Sequence, residues 1–308
     1  MARGGWLKQK WPVIEPVLQR TLGPLDIVFT QKQGDGAPLA RRAVQAGAKL
    51  VLAMGGDGTS SEVVSGLLEH QEQTHESEPA TSFGIIPAGT GGDLGRTLGT
   101  PTDIEKAAQR IVESRGRLID AGRIEYITHD GKPGRRYFIN VASAGVGGLV
   151  DTYANQSGKL LGGRASYFLA SLRGTLNYKN AAMRIRIDDR PWHEGRAYLI
   201  AVANGCYFGA GMKAAPDARI DDGLFDVLLI GDFSFPEKLN LARHIYAGTH
   251  VSLPKVLTTR GRTVTVETVD SDTDRGAPKP VLLDIDGEAP GRLPATWTLL
   301  PKSIRLRG

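Results

Sequence analysis

Apolar and polar positions follow one rhythm over the first third of the chain and another over the rest. Residues 25–29, 50–54 and 83–87 are short apolar runs of buried-strand type, whereas 37–46, 60–69 and 103–114 carry apolar residues at helical spacing. Strand and helix in alternation predict a parallel, Rossmann-like sheet with helices against it, an α/β class. Residues 69–82 are polar without a pattern and read as a surface loop or a frayed helix end. Beyond about Leu118 strand-like alternation takes over, in residues 184–187, 198–203, 225–230, 263–269 and 281–285, with glycines between the runs. That texture predicts a mostly antiparallel β-sandwich as a C-terminal domain. Helices are expected over 167–176 and 236–246, and a mobile hairpin loop over 271–279. The expected division is 1–120 and 121–308, with the last strand packing back on the first domain.

Two of the predicted strands run into glycine-rich loops, Gly55-Gly56-Asp57-Gly58-Thr59 and Gly89-Thr90-Gly91-Gly92-Asp93. Ligands in parallel α/β sheets gather beyond the carboxyl ends of the strands, where both loops fall. Glycine lets backbone N–H groups approach an anion closely, and a helix N-terminus adds unpaired donors and the positive end of a dipole. Thr59 and Glu62 also have the spacing of a capping box. Either loop alone reads equally well as an ordinary strand-to-helix turn; two of them about thirty residues apart favour a phosphate cradle.

Composition narrows the setting. The 308 residues are 41% apolar and 23% charged, which suits a globular protein with room for two domains. A net charge of +5 suits a nucleotide, nucleic acid or an anionic membrane surface without choosing among them. Aromatics are only 6% and interleave no basic run, which argues against nucleic acid. The single cysteine, Cys206, excludes an intramolecular disulfide, no Cys/His group has zinc spacing, and no run approaches the roughly 20 apolar residues of a membrane span. With no signal-peptide pattern at the opening, a cytoplasmic location with peripheral lipid contact is expected.

Four motifs in order, Gly55 to Glu62 (GGDGTSSE), Pro87 to Asp93 (PAGTGGD), Asp221 to Val227 (DDGLFDV) and Asp286 to Glu288 (DGE), make the chain resemble the diacylglycerol kinase catalytic-domain family, which includes bacterial diacylglycerol kinases and sphingosine kinases. The resemblance runs nearly end to end. It implies an ATP-dependent lipid kinase that uses Mg²⁺ and holds its nucleotide in an interdomain cleft. Thr30, Gly55, Gly56, Asp57, Gly58, Thr59, Ser60, Ser61, Glu62, Gly89, Thr90, Gly91 and Asp93 would line the nucleotide site. Asp57 would hold the catalytic metal or orient the acceptor hydroxyl, since a carboxylate beside phosphate-binding amides calls for a cation. Glu288 would be the general base that takes the proton of the lipid hydroxyl, supported by Asp286. The Arg219 carbonyl, the Asp222 carboxylate and the Leu224 carbonyl would form a second, structural Mg²⁺ site. Read without the resemblance, Asp57 and Asp222 are turn residues, Asp93 is a helix N-cap, Thr30 is a strand-end hydroxyl, and Asp286-Gly287 is a hairpin turn.

The family's first strand ends in an Asn-Pro motif, and the opening at Met1 to Trp6 resembles the residues just after it. The expectation is a sheet lacking that strand, with an exposed edge that favours pairing with another chain, a homodimer among the outcomes. Gly92 stands where the family more often has Asn. Arg173, Lys179, Arg184 and Arg186 beside residues 167–176 form a basic group suited to an anionic leaflet, or equally a solvated face. The acceptor is diacylglycerol or a related lipid. A sphingoid-base kinase, an NAD kinase and a catalytically silent nucleotide- or lipid-binding relative are the alternatives.

Overall fold

The computed structural model describes residues 6–75, 77–88, 92–156, 178–269 and 280–308. The chain divides into two compact units, Met1–Ala121 with Pro301–Gly308, and Gly122–Leu300. It is a mixed α/β protein, with parallel strand pairs in the first unit and antiparallel sheets in the second.

The first unit alternates as its sequence does. Helices α1 (Trp6–Leu22) and α2 (Gly36–Gln45) precede β1 (Leu50–Gly55), α3 (Asp57–Thr74), β2 (Ser82–Pro87), α4 (Asp93–Leu98) and α5 (Ile104–Glu113). β1 and β2 pair in parallel from Leu50 with Ser82 to Gly55 with Pro87, so both glycine loops leave the same end of the sheet. On the other side of β2, Arg305 to Arg307 at the end of the chain run parallel to Ser82 through Gly84. The fully buried Asp120 carboxylate accepts the Lys302 N–H at 2.7 Å and ties this last segment in place. Ile14 and Leu18 of α1 and Ala108 and Ile111 of α5 pack with Ile86 of β2 as the core.

Three expectations for this unit are corrected. Residues 25–29 form no strand and have no regular secondary structure; a short apolar run cannot by itself supply a pairing neighbour, and Phe29 instead meets Trp11 edge to face at 5.4 Å. α1 was not anticipated, because Pro12 and Pro16 lie inside it and interrupt the helical reading. α3 starts at Asp57, with extended Gly56 as its N-cap and Thr59 already in the first turn. The Thr59–Glu62 capping box therefore does not form, and Glu62 is engaged elsewhere.

In the second unit β3 (Arg117–Thr128, from Gly122 onward) pairs with β4 (Pro133–Phe138), and β6 (Ala181–Ile187) with β7 (Arg190–Ala197) and β11 (Thr263–Thr268). β13 (Gly291–Arg307, up to Leu300) joins this sheet through β3 and β11. A second antiparallel sheet runs in the order β10 (Val256–Gly261), β9 (Phe225–Ile230), β8 (Leu199–Ala203), β5 (Val141–Gly145), β12 (Leu283–Ile285). Trp297, Phe138, Ile185 and Val264 of the first sheet and Phe225, Val202 and Leu229 of the second share one core, so the sheets form a sandwich. The outer face of the second sheet is covered by α6 (Val146–Gln156) and α7 (Phe235–Ala247) through Val150, Leu241 and Ile245. Burial on two faces explains why β8 is an unbroken apolar run, while β6, covered on one face, alternates Met183, Ile185 and Ile187 inward with Arg184 and Arg186 outward. The expected segments 167–176 and 271–279 lie outside the described residues.

Candidate functional site

In the first unit two carboxylates draw the predicted loops together. The Asp57 side chain accepts the backbone N–H groups of Gly92, Asp93 and Leu94, each at 3.0 Å, and so caps α4 from the start of α3. Glu62, one turn further along α3, accepts Gly34 N–H at 2.8 Å and Gly36 N–H at 2.7 Å. Asp35 closes the same turn by accepting from Gln31 at 2.8 Å and Lys32 at 2.9 Å, and these two bonds hold its carboxyl below the usual range. The half-buried Thr30 directly precedes this turn. Thr30, the Gly55 to Glu62 segment and residues 92–94 thus converge at the N-terminal ends of α2, α3 and α4. Gly89, Thr90 and Gly91 lie outside the described residues.

Within the cradle the glycines differ. A Cβ built on Gly56 or Gly58 would meet no atom of the described residues within 4 Å, so packing among these does not require glycine there. The open space lies over the first turn of an 18-residue helix, whose leading N–H groups have no intrahelical acceptor. Gly92 is required by its backbone, at φ 100°. Ser60 is buried, and its hydroxyl turns back to the Gly56 carbonyl at 3.4 Å; Ser61 is half-buried. Asp93 is not the N-cap: Gly92 is, and the buried Asp93 carboxylate pairs with Arg96 in the first helical turn. Donors, a dipole end and clearance give this end of α3 the chemistry to receive an anion.

In the second unit the Asp286-Gly287 pair is a tight hairpin turn, with φ of 49° and 87° and with Ile285 and Glu288 exchanging backbone hydrogen bonds at 2.8 and 3.1 Å. The Asp286 carboxylate accepts the N–H groups of Ile139 (3.1 Å), Asn140 (3.2 Å) and Val141 (3.2 Å), holding the entry to β5. Glu288 follows with a side chain 20% exposed, its Oε2 against Arg136 Nη1 of β4 at 2.5 Å. Burial works against the Arg136 charge, but the Glu288 hydrogen bond and negative charge outweigh it and lift the guanidinium above its ordinary value. Burial also pushes the neighbouring Tyr126 phenol up. No sequence cue picked out Arg136, which stands 152 residues from its partner.

The residues expected to hold a structural Mg²⁺ are arranged differently. One Asp222 oxygen accepts from Leu224 N–H at 3.2 Å, and the other pairs with Arg260 of β10. Arg260 also reaches Asp226 Oδ2 at 3.5 Å; burial pushes that carboxyl up, while the guanidinium pulls it back. Both Asp222 oxygens are therefore engaged within the protein, one by a backbone amide and one by a guanidinium. Among the described residues no cluster of three His, Cys, Asp or Glu side chains has metal-binding geometry. In the expected basic group, Arg184 is paired with Glu194 at 2.7 Å, Lys179 and Arg186 are exposed, and Arg173 lies outside the described residues. No helix among the described residues is long and apolar enough to cross a membrane.

A family described as the diacylglycerol kinase catalytic domain matches residues 2–124, and one described as the YegS C-terminal NAD kinase beta sandwich-like domain matches residues 140–308. A diacylglycerol kinase of Staphylococcus carnosus is 30% identical over 279 residues, 90% of this chain and 82% of that protein. A probable YegS-like lipid kinase of Chromohalobacter salexigens is 35% identical over 210 residues, 68% of this chain and 63% of that one. The crystal structure of a putative diacylglycerol kinase from Bacillus anthracis shares the fold, with a TM-score of 0.76 at 24% identity over 99% of this chain and 91% of that one.

Proposed function

The chain belongs to the diacylglycerol kinase catalytic-domain family, and from that premise we propose that it transfers the γ-phosphoryl group of ATP to the hydroxyl of diacylglycerol or a related lipid. The observation that supports this most is the clearance over Gly56 and Gly58 at the start of α3, room that the protein's own packing does not use and that a triphosphate would fill. Asp57 and Glu62 keep the surrounding turns in register. Three of the roughly four lone-pair sites of the Asp57 carboxylate already receive N–H donors, so its first task is to shape the cradle. Mg²⁺ arriving with the nucleotide supplies charge neutralisation on the phosphates.

In the second unit Glu288 is the carboxylate that accepts the proton of the lipid hydroxyl, in the role of general base. Asp286 fixes the turn that presents it, and Arg136 orients its carboxylate. The kinase-like description of the C-terminal match keeps NAD among the acceptors to be tried beside diacylglycerol and sphingosine. The test incubates the chain with labelled ATP, Mg²⁺ and each acceptor, next to Glu288→Ala. Label is expected in a lipid, with turnover lower by roughly 10²–10⁴-fold in the variant. Transfer to NAD alone would move the activity to nucleotide phosphorylation. Nucleotide binding without transfer to any acceptor would overturn the kinase reading.

A further inference from the structure

Of the eight large hydrophobic side chains exposed among the described residues, five fall between 235 and 257. Three are on α7: Phe235 (45% exposed), Leu239 (52%) and Tyr246 (55%). With exposed Ala242 they recur at i, i+4, i+7 and i+11, a single stripe along the helix. This stripe is separate from the face that seats α7 on the sandwich, which is carried by the buried Leu241 and Ile245. The helix is thus apolar on two faces, of which the protein covers one. Val251 (41%), in the 3₁₀ turn His250–Ser252, continues the exposed set within one turn of the helix end, and that turn packs against both α7 and β10.

The charges beside the stripe have one sign. On a helical projection Lys238 borders it on one side and Arg243 on the other. Lys238 is half-buried, lies over the Tyr198 ring at 4.4 Å and donates to Asn180 at 3.0 Å near Asp232, so Arg243 is the exposed cation of the two. From 234 to 257 the chain has one carboxylate, Glu237, against three cations; it lies toward the far side of the helix and is paired with Lys255 at 2.8 Å. A helix with an aromatic and aliphatic stripe between cations suits the headgroup boundary of an anionic bilayer, where tyrosine places its ring in the apolar layer and its hydroxyl in water. A second protein copy is less well matched. Stable interfaces engage roughly 20–30 residues a side, far more than this narrow stripe offers, and a self-paired stripe would set like charges together.

We propose that the α7 stripe Phe235, Leu239 and Tyr246, bordered by the exposed Arg243, is the surface by which this protein docks on anionic phospholipid. The proposal rests on the lipid-kinase reading for its purpose, but its test does not use phosphoryl transfer. The full chain is floated with vesicles of phosphatidylcholine alone or of phosphatidylcholine mixed with phosphatidylglycerol, without ATP. Binding is expected on the mixed vesicles. Phe235→Ser, Leu239→Ser and Tyr246→Ser combined should weaken it by roughly tenfold or more without lowering the thermal midpoint, since all three side chains are exposed. Arg243→Glu should weaken binding to the mixed vesicles and leave the weak binding to phosphatidylcholine unchanged. Equal flotation of wild type and triple variant overturns the proposal. So does a drop in solution mass in the triple variant with flotation unchanged, which assigns the stripe to a second copy. Flotation that follows this pattern in a protein without phosphoryl transfer upholds the surface and removes the kinase reading alone.

Discussion

Asp57 and Asp286 each sit beside a glycine in a tight connection, one in each unit, and each carboxylate receives three consecutive backbone N–H groups from a distant segment of its own unit. Their surroundings differ. Asp57 opens a long helix, and the glycines on either side of it face empty space. Asp286 occupies the left-handed region in a two-residue hairpin, and the next side chain beyond Gly287 is Glu288, locked against Arg136. The same mechanical device therefore frames two different chemistries, a receptive backbone in one unit and a presented carboxylate in the other. Each aspartate fixes geometry, and the proposed functions fall to its neighbours.

The comparison breaks most readily at the aspartates themselves. Asp57→Ala and Asp286→Ala each strand three backbone donors, and each should lower unfolding free energy by about 2–3 kcal/mol, measured by urea denaturation. Asparagine should restore little, because its amide NH₂ would point at N–H donors. The two variants should match in stability despite their different loops. Should Asp57→Ala abolish transfer while stability stays within about 0.5 kcal/mol of wild type, Asp57 would belong to the chemistry and the parallel would fail.

Such struts were invisible in the sequence for a physical reason. Periodicity is local, so the strand-helix alternation around β1, α3 and β2, the unbroken run of β8 and the alternation of β6 could all be read directly. The Asp57 partners lie 35–37 residues away and those of Asp286 145–147, and nothing in a glycine-aspartate pair says which amides it will meet. Glu62 looked like a capping-box residue because the spacing was right, but the helix began three residues earlier than its apolar pattern and left that carboxylate facing the turn at Gly34. Asp222 read as a metal ligand from its motif alone, and its pairing with Arg260, 38 residues on, was not legible there. The four motifs marked where the loops are; the partners had to come from the fold.

A smaller effect sharpens the second half of the comparison. Arg136 Nη1 stands 2.5 Å from Glu288 Oε2 and fixes where that carboxylate points. Arg136→Met removes the orienting partner, so kcat should fall by roughly 10–10²-fold with the KM for ATP unchanged, read by steady-state kinetics. Arg136→Lys keeps a cation but not the planar fork and should recover only part of the loss. An unchanged kcat in Arg136→Met would mean that the base is another group.

The smallest change tests the first half. Gly58 lies within α3, its φ is not left-handed, and an added methyl group would touch nothing in the chain. On folding grounds alone Gly58→Ala should then stabilise the protein, by about 0.5–1 kcal/mol, since glycine is a poor helix residue and its freedom in the unfolded chain is lost. A phosphate seated on the first-turn amides would instead meet that methyl group. The expected signature is a variant that melts higher than wild type and binds ATP roughly tenfold more weakly, read by denaturation and by nucleotide titration of the same preparation. A rise in stability with unchanged affinity would place the nucleotide elsewhere and leave the clearance over α3 without a ligand. Gly92→Ala serves as the contrast: at φ 100° the methyl group strains the backbone itself, so that variant should lose about 1 kcal/mol whether or not ATP is bound.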